Sequence, residues 1–162
     1  MSRLFNNFFE IGYFPDSWKI VHITAIYNFF GSKTCKTSYR PISLLPTLSK
    51  VFESVLHDRL LKHCLENNII TDKQAAYLKG DSTVSQLLYI VHNIRKSWSG
   101  KNITHGIFLD VSAAFDKVWH NGLLAKLGQI GVEDSFLNTI RSYLANRKQV
   151  VVVDGVKSDR LD

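Results

Sequence analysis

The stretch from Gly106 to His120 constrains the fold more than any other part of this sequence. It begins with a short apolar run, Ile107 to Leu109. Because that run is too brief for a helix, it predicts a buried strand. The run ends on the carboxylate of Asp110, and a turn and a helix-like segment follow. Two interpretations of Asp110 are open here: a helix N-cap, or a carboxylate at the mouth of a cleft, where it could bind a divalent metal ion.

Composition excludes several classes of protein. The chain has 162 residues, of which 45% are hydrophobic and 21% charged, and this balance is typical of a globular domain rather than of a disordered segment. No apolar run approaches the roughly 20 residues that a membrane span requires, so no membrane partner is predicted. Cys35 and Cys64 are too few for a disulfide framework, which favours a reducing, intracellular compartment.

Positive charge is concentrated in one segment. Between Ser17 and Phe52 there is no Asp or Glu, so five basic residues give this segment +5 of the total net charge of +6. A segment of one sign predicts a polyanionic partner, either nucleic acid or the phosphates of a nucleotide. A basic surface that merely aids solubility is the alternative. The five residues are Lys19, Lys33, Lys36, Arg40 and Lys50.

The hydrophobic periodicity predicts helices that alternate with a few short strands. Residues rich in Ile, Val, Thr and Tyr predict one strand within Trp18–Phe29. A second strand is predicted at Gln149–Val153, and Asp154-Gly155 after it indicates a tight hairpin turn. Helices are predicted around Leu4–Phe9, Leu48–Leu60, Val84–Trp98, Asn121–Gly131 and Phe136–Leu144.

The longer string from Asp110 to His120, with Phe115 and Asp116 inside it, has the pattern Asp, four residues, an aromatic, then Asp-Lys-Val-Trp-His. It closely resembles motif A of the reverse transcriptases of non-LTR (LINE-type, jockey-like) retrotransposons. The resemblance implies that Asp110 is the catalytic, metal-binding aspartate and that Phe115 is the aromatic gate beneath the sugar of the nucleotide. It matches Asp116 to the second acid of the motif.

A second motif of the same family is Tyr39-Arg40-Pro41-Ile42-Ser43. Pro41 disfavours a helical conformation at Arg40, so the guanidinium projects from extended chain. Its planar fork of donors suits phosphate oxygens, and the resemblance implies that Arg40 binds the incoming triphosphate. A surface salt bridge is the alternative role. Where the family has Pro-Ile-x-Lys, this chain has Ala25-Ile26-Tyr27-Asn28, and Lys33 is the nearest basic candidate for nucleotide binding.

A third matching region runs from Asp72 to Thr83 and contains Gln74, Gly80, Ser82 and Thr83 of the family pattern. Ala76-Tyr77-Leu78 replaces the family's Gly-Phe-Arg, which leaves Lys79 as a substitute for the arginine. The alternative role of this region is structural, because Asp81, Ser82 and Thr83 are good N-caps for the helix that follows. The predicted contacts to nucleic acid are Gln74, Lys79 and Lys36.

Taken over residues 16–162, the resemblance implies a partial reverse transcriptase domain, with residues 1–15 as a helical lead-in. The expected fold is α+β: the helix-rich fingers and the first part of the palm of a right-hand polymerase, with an incomplete antiparallel sheet. The implied activity is that of an RNA-directed DNA polymerase, which performs template-directed nucleotidyl transfer with two Mg²⁺ ions. The implied partners are an RNA template, a DNA primer and dNTPs, and the expected place of action is the nucleus.

One family motif is missing. The family supplies further metal-binding carboxylates from a Phe/Tyr-Ala-Asp-Asp hairpin, and this sequence has no Asp-Asp pair. We therefore expect that the chain is truncated before that motif and that the isolated chain is inactive. We also expect self-association through uncovered palm strands, with Val150–Val153 as the exposed edge. The alternative is a non-catalytic, basic nucleic-acid-binding relic of a mobile element.

Overall fold

A computed structural model of the protein describes residues 2–160. The chain divides into two compact units: a first unit of Met1–His63 with Trp119–Asp162, and a second unit of Cys64–Val118. The fold is α+β, as predicted. Its helices and strands are α1 Ser2–Ile11, β1 Ile20–Tyr27, β2 Tyr39–Leu44, α2 Thr47–Glu66, α3 Thr83–Ser99, α4 His120–Gln129, α5 Asp134–Leu144, β3 Lys148–Val153 and β4 Val156–Lys157.

The helices and the hairpin turn confirm the predictions made from periodicity and turn chemistry. The Ser82 hydroxyl accepts a hydrogen bond from the backbone N–H of Ser85 at 3.1 Å, so Ser82 is the N-cap of α3. Gly100 follows the last residue of α3 as its C-cap. Asp154 and Gly155 both have positive φ, 50° and 81°, as a two-residue turn between β3 and β4 requires.

The sheet is mixed, so the predicted antiparallel sheet is wrong in this respect. Its strand order is β2-β1-β3-β4. β1 pairs with β2 in antiparallel fashion and with β3 in parallel fashion. Antiparallel neighbours can be joined by a tight turn, whereas a parallel pair needs a long crossover. Here the chain between β1 and β3 includes β2 and four helices, a separation that local sequence patterns do not reveal.

The predicted exposed edge at Val150–Val153 is also wrong. β3 lies inside the sheet, between β1 and β4, and Val150 is a buried core residue. The register pairs His22 of β1 with Val150 and Thr24 with Val152. The sequence indicated no partner for the backbone N–H and C=O groups of β3. In the structure these groups are hydrogen-bonded to β1. The edge strands of this sheet are β2 and the two-residue β4.

The core of the first unit is built around one phenylalanine. Phe52, on α2, is fully buried at 0% exposure. Aromatic rings of α1 and of the segment that follows it surround the Phe52 ring, with centroid distances from 5.0 to 6.1 Å. This packing joins the N-terminal lead-in to α2 in one apolar cluster. The neighbouring rings are those of Phe5, Phe8, Phe9, Phe14 and Trp18.

The second unit contains the end of α2, α3 and the chain before and after α3, and none of its residues is buried. The predicted strand at Ile107–Leu109 is absent, and these side chains are 84–92% exposed. A strand needs a neighbour to accept its backbone hydrogen bonds, and no described residue pairs with this run. The apolar stripe of α3 is helical as predicted but exposed, with Leu88 at 64% and Trp98 at 78%. None of the described helices has the length and apolarity that crossing a membrane requires.

Candidate functional site

Asp110 lies in irregular chain between α3 and α4, and its side chain is exposed. In the described part of the chain its carboxylate forms neither a hydrogen bond nor an ion pair. The oxygens are therefore available to an external ligand, because no protein donor competes for them. The residues on either side of Asp110 in the sequence are apolar and also exposed, with Leu109 at 92% and Val111 at 69%.

The N-cap interpretation of Asp110 is wrong. Residues 112–117 form turns, and the next helix, α4, begins only at His120. The residue at the N-cap position of α4 is Trp119, which makes no side-chain capping bond. Asp110 is too far along the chain from α4 to satisfy its free N–H groups. A role in capping therefore does not account for this carboxylate.

The described residues do not form a metal site by themselves. Hard divalent cations are held by several converging oxygens, most often from carboxylates. Among residues 2–160 no group of three or more His, Cys, Asp or Glu side chains is close enough to hold a metal ion. Asp110 and Asp116 thus supply at most part of a donor set. The two-metal arrangement implied by the sequence needs further ligands.

Phe115, the predicted gate residue, contacts the third matching region of the sequence. Its ring meets that of Tyr77 edge to face, with the centroids 6.3 Å apart. Tyr77 is held at a positive φ of 64°, and both rings are more than 75% exposed. Predicted contacts Gln74 and Lys79 lie on either side of Tyr77, and both are exposed. The second unit thus brings together Phe115 and the segment that replaces Gly-Phe-Arg.

The basic candidates of the first unit lie on the hairpin between β1 and β2. Arg40 is extended, as Pro41 predicted, and pairs in register with Ile26 of β1. Its side chain is exposed, and no salt bridge of Arg40 is formed within residues 2–160. Lys33 and Lys36 are exposed in the connection between the strands.

Lys19 does not belong to this basic surface. Its ammonium donates to the Asp16 carboxylate at 2.8 Å, and the residue is only 5% exposed. A cation that is buried and neutralised in this way cannot contact a polyanion. Asp16, which pairs with Lys19, lies just before Ser17–Phe52, the acid-free segment. The count of charges within that segment therefore did not include Asp16.

An aromatic group beside the basic residues was not predicted as part of the site. The Tyr27 ring packs against the rings of Phe29 and Tyr39, each at 5.6 Å between ring centroids. The Lys33 ammonium lies over the Tyr27 ring, 5.8 Å from its centroid. The sequence carried a signal for this group, since several aromatics alternate with Lys and Arg in the acid-free segment.

Comparison with known proteins gives consistent matches. A sequence model of the family described as "Reverse transcriptase (RNA-dependent DNA polymerase)" matches residues 31–160. The chain is 35% identical over 158 residues to the RNA-directed DNA polymerase from mobile element jockey of Drosophila melanogaster, covering 98% of the chain and 17% of that protein. It is 35% identical over 151 residues to the probable RNA-directed DNA polymerase from transposon X-element of the same fly, covering 93% and 16%. A third relative, the probable RNA-directed DNA polymerase from transposon BS, also of Drosophila melanogaster, is 32% identical over 153 residues, covering 94% and 17%. The chain therefore spans about one sixth of the length of these relatives.

Proposed function

This chain belongs to the reverse transcriptase family, and on that premise we propose that it supplies part of the nucleotide site of a retrotransposon RNA-directed DNA polymerase. The proposal is supported most strongly by the motif A string, whose Asp110 carboxylate is exposed and unpaired within the described chain. We assign residues 16–162 to the fingers and the first part of the palm of such an enzyme. The whole enzyme would copy an RNA template into DNA in the nucleus, using a DNA primer and dNTPs.

Each site residue has a proposed role within that enzyme. Asp110 provides one carboxylate toward the divalent ions that reverse transcriptases use. Phe115 presents its exposed ring to the sugar of the nucleotide. Arg40 and Lys33 bind the triphosphate through charge-assisted hydrogen bonds.

The template contacts come from polar residues outside motif A. Gln74 and Lys79 lie before and after Tyr77 along the chain, and Lys36 lies on the connection between β1 and β2. All three side chains are exposed and so accessible to a nucleic-acid backbone.

Self-association, also predicted from the sequence, remains a prediction.

Exchanging a segment between relatives tests the proposed function. In a chimera, residues 31–160 of this chain replace the matching segment of the jockey polymerase. The assay measures extension of an oligo-dT primer on poly-rA by this chimera with Mg²⁺. We expect the chimera to extend the primer, because the segment carries Arg40 of the Tyr-Arg-Pro-Ile-Ser motif and Asp110 and Phe115 of motif A. The 162-residue chain alone should not extend it, because its described residues hold no metal site. A chimera that is soluble and folded but inactive would contradict the proposal.

The second candidate function is nucleic-acid binding without catalysis. It is favoured by the exposed side chains of Lys33, Lys36 and Arg40, which lie within the acid-free segment. We expect the chain to bind single-stranded oligonucleotides with strong salt dependence, because cations that neutralise phosphates release counterions. Changing Lys33, Lys36 and Arg40 to Gln should make the slope of log K against log[salt] less steep by up to about 0.7 per cation.

The matched control removes the same charge from exposed lysines elsewhere in the chain. A slope that changes equally in both triple variants would show that binding follows net charge and not this surface. A slope unchanged by the Lys33, Lys36 and Arg40 substitutions would exclude the acid-free segment as the binding surface. The control positions are Lys101, Lys126 and Lys157.

A further inference from the structure

The segment from the last residue of β1 to the first residue of β2, residues 27–39, carries exposed aromatic rings that the proposed function does not use. We refer to it as the aromatic hairpin. Phe29 is 86% exposed and Phe30 is 77% exposed, although aromatic side chains of this size are normally drawn into a core. Both residues belong to the first unit and precede the exposed Lys33 and Lys36 in the same connection.

The aromatic hairpin is held in shape by its own hydrogen bonds. The Tyr27 hydroxyl donates to the carbonyl of Gly31 at 2.7 Å, and the Tyr39 hydroxyl donates to the carbonyl of Lys33 at 2.8 Å. The backbone N–H of Asn28 donates to the carbonyl of Ser38 at 2.8 Å. A loop fixed in this way presents Phe29 and Phe30 at the cost of little additional ordering when a ligand binds.

The backbone at Phe29 has an uncommon conformation. Its φ of 59° lies in the left-handed region, which is sterically disfavoured for a bulky side chain. Asn or Gly would occupy this position with less strain. Nothing in the core requires a phenylalanine here, because the ring is exposed and contacts only Tyr27 among the described aromatic rings. A strained, exposed aromatic residue points to a binding role for the ring.

The charge around the aromatic hairpin restricts what it can bind. Residues 17–52 contain no acidic side chain, and Lys33, Lys36 and Arg40 are exposed. Such a surface attracts an anion, whereas the face of an aromatic ring favours a flat apolar group. Unpaired nucleotides combine both features, since the phosphates are anionic and the bases stack on aromatic rings. Paired bases stack on each other within a duplex and do not offer their faces to a protein.

From this combination we propose that the aromatic hairpin is a stacking site for single-stranded nucleic acid. Phe29 and Phe30 stack on unpaired bases, and Lys36 contacts the adjacent phosphates. The inference rests on the proposed function only in taking nucleic acid as the class of ligand. It assigns a binding role to two residues that lie outside the family motifs in this sequence.

Binding of a fluorescein-labelled oligo-dT of about 16 nucleotides to the full chain, followed by anisotropy, tests the proposal. The variant combines Phe29→Asn with Phe30→Asn. We expect its affinity to fall by about 5- to 150-fold for each base that loses its stacking partner. The slope of log K against log[salt] should stay unchanged, because no charge is removed. Phe30→Trp, which keeps a stacking surface, should retain the affinity of the unsubstituted chain.

Two controls separate stacking from a general effect on the protein. The urea midpoint of the double variant should equal or exceed that of the unsubstituted chain, because Asn tolerates the conformation at position 29 and neither ring is buried. Trp98→Asn removes another exposed ring, on α3, and should leave oligonucleotide affinity unchanged. A duplex of the same length should bind more weakly and should not respond to the double substitution.

Three results would overturn the proposal. The first is an affinity for oligo-dT that the double variant leaves unchanged, an outcome that would not affect the test on the chimera. The second is equal loss of affinity for single strand and duplex. The third is a concentration-dependent sedimentation coefficient that the double substitution abolishes while oligo-dT affinity stays the same, which would assign the aromatic hairpin to self-association.

Discussion

Asp110→Asn is expected to lower primer extension by the jockey chimera more than about 100-fold. Changes in residues that only support metal ligands already cost about 10- to 100-fold, so loss of a ligand should cost more. Asn keeps the shape of the side chain but removes the charge that a hard divalent cation requires. The measurement is the initial rate of extension on poly-rA and oligo-dT at saturating Mg²⁺, compared with the unsubstituted chimera.

The matched control is Asp154→Asn, the same chemical change in the turn between β3 and β4. Asn is tolerated at positive φ, so this substitution should preserve both the turn and the extension rate. In the isolated chain, Asp110→Asn should leave the urea midpoint unchanged, because the carboxylate is exposed and makes no hydrogen bond within the described residues. Extension at the unsubstituted rate by the Asp110→Asn chimera would refute the catalytic assignment.

The largest effect on stability is expected from Phe52→Ala, which should lower the free energy of unfolding by about 3–5 kcal/mol. The Phe52 side chain is fully buried, and five aromatic rings lie within 6.1 Å of it between centroids. Its removal would leave a cavity that rigid aromatic neighbours fill poorly. Since whole domains are stable by only about 5–15 kcal/mol, this loss is a large fraction of the total stability.

Urea denaturation followed by tryptophan fluorescence measures this loss, because Trp18 packs directly against Phe52. The control is Phe108→Ala, which removes the same ring from a position that is 85% exposed. This variant should change the free energy of unfolding by less than about 0.5 kcal/mol. Similar losses in both variants would show that Phe52 is not the centre of the core.

Local patterns in the sequence were sufficient for the helices, the cap and the tight turn. The apolar spacing around Leu48–Leu60 predicted α2, and Ser82 and Asp154-Gly155 were assigned correctly from the chemistry of single residues. Such features depend on neighbours within a few positions along the chain. The motif strings identified the family for the same reason, because a motif is a local property.

The sequence also pointed to the site residues without relating them in space. It grouped Lys19 with Lys33, Lys36 and Arg40 because only their spacing along the chain was visible. The structure removes Lys19 from this group through its ion pair with Asp16. It adds Tyr27 and Phe29, whose rings meet beside Lys33. Side-chain pairing of this kind follows from the folded geometry of the hairpin.

Strand pairing was decided by the tertiary structure. Val150 had no visible neighbour in the sequence, yet it pairs with His22 across more than a hundred intervening residues. Ile107–Leu109 had every local property of a strand but has no partner among the described residues, and it is irregular and exposed. A helix satisfies its backbone hydrogen bonds within one segment, so its own sequence determines where it forms. A strand satisfies them only with another strand, so its existence and position depend on residues that the chain brings alongside it.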